Sequence, residues 1–68
     1  MSPNQLIVAA ASEVTATIHV YPDDLERISK TCSTLKSVLS HLKDIADDRF
    51  VRYGTDILHA GTSFVQNS

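Results

Sequence analysis

The stretch LERISKTCSTLKSVLSHLKDIA, residues 25–46, places apolar side chains at Leu25, Ile28, Cys32, Leu35, Leu39, Leu42 and Ala46. The steps alternate between three and four residues without interruption, which is the a/d seam of an α-helix about three heptads long. Val38 and Ile45 widen the stripe on one side, beyond what a two-stranded seam needs. A helix of that extent runs ~35–40 Å at 1.5 Å rise per residue. In a chain of 68 residues the stripe is expected to outrun what the flanking segments can cover. The reading therefore asks for a second chain, with Leu25, Ile28, Cys32, Leu35, Val38, Leu39, Leu42 and Ile45 as the dimer interface.

Size and composition narrow the field. Sixty-eight residues make a single small helical domain, 1–68. A chain this short buries only about 60% of the surface its unfolded form exposes, so a disulfide, a metal or a partner is the usual supplement. One cysteine excludes an internal disulfide, and the three histidines are far apart in the chain. An apolar fraction of 43% with two glycines and two prolines is ordinary for a folded domain. Six Lys and Arg against eight Asp and Glu leave a formal charge of −2, which argues against a chain whose main work is neutralising phosphates. The longest apolar run, Leu6–Ala11, is too short to cross a bilayer, and no basic residue precedes it as a secretory signal would require. Cys32 inside the seam reads as a small buried hydrophobe, and its unpaired state fits a reducing, intracellular compartment.

Working outward from the seam, Pro22 pushes Tyr21 toward an extended conformation. Asp23 with Glu26 three residues on forms an acidic capping box, and Asp24 adds charge that the helix dipole favours. The long helix is therefore expected over about 22–47. Its end is marked by Asp44, Asp47 and Asp48, which oppose the dipole there, and one of these acids is free to cap the next segment. Upstream, Ser2, Pro3 and Gln5 make a helix start with a capping box. Leu6, Ile7, Ala10, Ala11 and Val14 supply a face at helical spacing, predicting a first helix over about 3–14. The β-branched run Thr15–Tyr21 alternates and predicts an extended loop. Downstream, Arg49–Gly54 reads as a short extended connection. Thr55 then caps a last helix to about residue 66, with Ile57, Ala60, Gly61 and Phe64 on one face. A continuous helix from Asp23 to Val65 is the rival, at a cost of about 1 kcal/mol for each of Gly54 and Gly61 relative to Ala.

Short helix, loop, long central helix, loop, short helix resembles the histone fold over nearly the whole chain. Arg49 at the start of the second loop and Asp56 near the start of the last helix, followed by Ile57, Leu58 and Ala60, are similar to the loop–helix motif of archaeal histones and CCAAT-binding subunits. Gly54 suits the latter type, and Phe64 falls where archaeal members carry a late aromatic. The resemblance implies an all-α fold in a dimeric handshake, with an Arg49–Asp56 clamp and Val20 pairing with the partner's Phe50 and Val51. It implies a like-folded partner, identical or different, and a non-enzymatic role in a DNA-associated, chromatin-like complex, nuclear or nucleoid-associated. His19, Arg49 and Arg52 are then the candidate phosphate contacts. The chain departs from the family at Arg52, where an aliphatic residue is usual, in a central helix about a turn short, and in its few basic residues.

No catalytic constellation emerges. The only cysteine lies in the seam and no Gly-flanked serine nucleophile is present. His41 with Asp44, and Asp56 with His59, are two-ligand pairs, whereas a structural zinc takes four ligands. No cofactor, no metal and no membrane partner are expected. Second choices for the fold are a helical hairpin or a long-helix coiled coil. Thr17–Leu25 is also similar to the strand-into-helix opening of ribbon-helix-helix repressors, although the tight turn those need is replaced by unbroken seam. The same stretch is similar to small helical-hairpin proteins of specialised bacterial secretion, without their Trp-x-Gly turn. A small helical adaptor remains the further alternative.

Overall fold

A computed structural model describes all residues, 1–68. Three α-helices follow one another: α1 Pro3–Val20, α2 Leu25–Leu42 and α3 Asp48–Gln66, with no strand. Each packs against both of the others, giving an antiparallel bundle of 34 × 20 × 16 Å. The all-α expectation holds. The element lengths do not follow the short–long–short layout, since the helices have 18, 18 and 19 residues.

α1 begins as its sequence predicts. Ser2 caps it, the Gln5 amide donates to Ser2 Oγ at 3.2 Å, and the Ser2 amide donates to Gln5 Oε1 at 3.1 Å. The expected loop 15–21 is instead helix as far as Val20. Two causes outweigh the β-branched propensity. Thr17 is buried and Ile18 half-buried, extending the face made by Ile7, Ala10, Ala11 and Val14 at helical period. The polar side chains also bond backward along the helix. Thr15 Oγ1 donates to Ala11 O at 3.3 Å, Thr17 Oγ1 donates to Glu13 O at 2.7 Å, and His19 Nδ1 lies 3.0 Å from Thr15 O. Pro22, which cannot continue a helix, ends the segment.

α2 is shorter than the expected 22–47. Asp24, not Asp23, is its N-cap, accepting from the Arg27 amide at 3.1 Å. It stops at Leu42, five residues before Asp47 caps α3 by accepting from the Arg49 amide at 2.9 Å. α3 thus starts seven residues before the predicted Thr55, and the expected connection 49–54 is its first two turns. The Asp47 amide donates to Asn4 Oδ1 at 2.8 Å, tying the α2–α3 turn to the start of α1.

The early start of α3 places Gly54 and Gly61 inside a helix, where both are buried. A Cβ on Gly54 would lie 2.8 Å from Ile7 Cγ2 and 2.9 Å from Leu39 Cδ2. A Cβ on Gly61 would lie 2.7 Å from Cys32 Sγ and 2.9 Å from Val14 Cγ1. One heptad separates the members on every helix: 54 to 61, 7 to 14, and 39 back to 32. The core is therefore built in layers, Ile7–Leu39–Gly54 and Val14–Cys32–Gly61, each with glycine at the third corner.

This packing removes the premise for a partner on α2. Ile28 and Leu35 are 0% exposed, and Cys32 and Leu39 7%, within one chain. Leu25, Val38 and Leu42 are half-buried against the same core. Of the residues assigned to a dimer interface, Ile45 alone is exposed, at 66%, in the turn after α2. The stripe is covered because α1 and α3 are full helices as long as α2, not the short flanks expected from sequence. Ala60, expected on the buried face of the last helix, is exposed, and Gly54 takes a core position in its stead.

Gly→Ala in an open helix gains about 1 kcal/mol of propensity. Here the added methyl overpacks the core, at about 1–3 kcal/mol. Gly54→Ala and Gly61→Ala are each expected to lose stability in urea unfolding, because Ile7 Cγ2, Val14 Cγ1 and Cys32 Sγ each move only by a turn about the first side-chain bond and yield poorly in the core. A Gly61→Ala variant as stable as the parent would contradict the layer assignment.

Candidate functional site

The residues proposed from sequence do not converge. His19 ends α1, while Arg49 and Arg52 begin α3. The pairing of Ile7 with Gly54 and Val14 with Gly61 makes α1 and α3 parallel, so these groups lie at opposite ends of the bundle, roughly 25 Å apart along it. The phosphate set is not assembled in one chain. Nor is the Arg49–Asp56 clamp: both residues stand on α3, and Arg49 Nη2 pairs instead with Asp47 Oδ2 at 3.4 Å. The geometric reason is that residue 49 lies in a helix, not in a loop able to fold back on one.

The other corner of the bundle is more organised. The Arg27 guanidinium lies over the Tyr21 ring, 4.1 Å from its centroid, and its Nε donates to Asp24 Oδ2 at 3.1 Å. Tyr21 and Arg27 are both exposed, and the stacked pair stiffens the α1–α2 turn. Hydrogen bonds from the Arg27 backbone N–H and then its side chain hold the Asp24 carboxyl below its ordinary value, and Arg49 does the same for Asp47. Burial pushes the Cys32 thiol up, so the chain's one thiol is kept neutral where α2 meets Gly61 of α3. The pairs His41–Asp44 and Asp56–His59 recruit no third ligand, and no cluster of three or more metal-binding side chains forms.

What remains open is the outward side of α1. In 18 residues this helix carries one formally charged side chain, Glu13. Leu6, Ala9, Glu13, Ala16 and Val20 succeed one another at steps of three, four, three and four, and all five are exposed. Leu6 is 39% exposed and Val20 64%. At one end of the row Leu6 lines a groove with Val38 and Leu42 of α2, with Ser37 and His41 at the rim. At the far end Val20 and Tyr21 line a shallow depression with Pro22. On the other flank of α1, Val8 meets Phe50, Tyr53 and Arg49 in a second open depression. No helix is long and apolar enough to cross a membrane.

Helical spacing alone assigns Leu6 to the buried face of α1 and gives no part to Ala9, Ala16 or Val20. The signal that finds them is that apolar residues continue beyond the buried face of α1 onto a second side, at Ala9, Ala16 and Val20, with Glu13 as the helix's one formal charge. Comparison with known protein families, curated proteins and solved structures finds no match to this chain.

The two cap carboxylates set an acid limit. A carboxyl whose folded pKa is depressed contributes stability that is present above its unfolded value and lost as pH falls through the folded one. Thermal melts are expected to hold from neutrality to about pH 4 and to weaken below it. The Asp24→Asn/Asp47→Asn double variant keeps the cap acceptors without the protonation and should show a smaller acid loss. An undiminished acid loss in that variant would place the effect elsewhere.

Proposed function

We propose that the chain is a small non-enzymatic helical adaptor that binds another protein through the outward face of α1. The observation carrying this reading is the exposed row Leu6–Ala9–Glu13–Ala16–Val20, left bare in a bundle that covers the apolar stripe of α2 by itself. Exposed apolar groups scattered singly are ordinary on a protein surface, but a run at helix–helix spacing along one helix face is suited to a partner. Ala9 and Ala16 leave room for close approach of a fourth helix at about 8–10 Å between axes.

The need for a partner chain thus moves from the α2 seam to α1, with the like-folded chain expected from sequence as one form the partner can take. The non-catalytic part of this reading rests on the one thiol, Cys32, being buried and held neutral. Direct DNA association has narrower support. Arg49 and Arg52 stand among Asp47, Asp48 and Asp56 on α3, and Arg49 is already paired.

A photo-cross-linking residue placed at Ala9 or Ala16, in the cells that make the protein, is expected to capture protein. The same group at Ser40, on the exposed side of α2, is expected to capture none. Retention on duplex DNA at ~150 mM salt is expected to be nil. Salt-sensitive retention on DNA, or equal capture at Ser40, would overturn the adaptor reading.

A further inference from the structure

Glu13 sits at the middle of the exposed row, seven residues from Leu6 and seven from Val20. It makes no ion pair. The chain's two ion pairs are Arg27–Asp24 and Arg49–Asp47. Arg27 is also stacked on Tyr21. A lone carboxylate flanked on both sides by apolar side chains fixes the chemistry of whatever lies across it. Covering the row draws Glu13 out of water, and that is costly unless a cation meets it.

The same residue disfavours a second copy of this chain as the occupant. An antiparallel pairing that matches Leu6 with Val20 brings Glu13 opposite Glu13, and so does a parallel pairing in register. Other registers leave one end of the row uncovered. Like charges facing across a helix pair destabilise it.

Resting on the adaptor reading, we infer that the outward face of α1 receives an amphipathic helix from a different protein, with an alanine- and leucine-type seam and a Lys or Arg at the seam position opposite Glu13. Docked there it becomes the fourth helix of the bundle. Its ends rest on Leu6, Val38 and Leu42 at one pole and on Val20 and Tyr21 at the other.

Two synthetic helical peptides of about eighteen residues test this, long enough to span α1. They share an Ala/Leu seam and differ only at its central residue, Lys in one and Glu in the other. By fluorescence anisotropy the intact protein is expected to bind the Lys peptide about tenfold more tightly than the Glu peptide. The Glu13→Lys variant, its fold checked by circular dichroism, is expected to invert that order. Equal binding of the two peptides, binding of neither, or a preference untouched by Glu13→Lys overturns the inference. A cross-link joining Ala16 of two copies of the chain overturns it as well, because the occupant is then the protein itself. If the peptides fail while Ala9 and Ala16 still capture a protein in cells, the cationic helix is lost and the adaptor reading stands.

Discussion

The close approach of α3 to both other helices, at two glycines one heptad apart, is the constraint on which this bundle depends. A side chain at Gly54 would force α3 or Ile7 and Leu39 to shift, and one at Gly61 would do the same to α3 or Val14 and Cys32. The core is small, only eight buried apolar residues, and three of its members are alanine or cysteine. Such a core reaches interior density only if the backbones come near enough for short side chains to touch. Glycine gives up helix propensity at both sites, and the contacts it permits offset that loss. The same approach allows one chain to close over an apolar stripe that its length alone suggests is too long to cover.

The ends of the helices hold that arrangement in register. Ser2, Asp24 and Asp47 each accept a backbone N–H in the first turn of a helix. Asn4 reaches across 43 residues of sequence to hold the Asp47 amide, so the start of α1 and the start of α3 are fixed to each other. At the opposite pole, Tyr21, Asp24 and Arg27 lock the α1–α2 turn through a ring–guanidinium stack and an ion pair. Both poles are thus pinned by polar contacts, while the layers between are apolar. A rigid frame of this kind presents the outward face of α1 in a fixed geometry, which lowers the ordering cost of binding.

Much of this is legible in the sequence, and the failures share a cause. The seam of α2, the Ser2–Gln5 capping box and the acidic cap after α2 all rest on local spacing and hydrogen-bond chemistry, and the structure has each of them. The misplaced boundaries lie where propensity and packing disagree. Thr15–Val20 and Phe50–Tyr53 have strand-like composition, yet Thr17, Ile18, Phe50 and Val51 are needed on the inner faces of helices. Gly54 reads as a break because its worth as a contact surface emerges only once Ile7 and Leu39 are seen beside it. The clamp and the phosphate set fail for the same reason: each requires a loop where the chain is helical. The row on α1 is present in the sequence but hidden, because its residues interleave with those of the buried face.

Self-sufficiency of the single chain is read out by how its melting depends on protein concentration. A bundle that covers its own stripe unfolds in one chain, so its melting temperature should stay constant over about a hundredfold range of protein concentration. A melting temperature that climbs with concentration would mean that folding requires a second copy. The α2 stripe would then have to be shared between chains, contrary to the packing described.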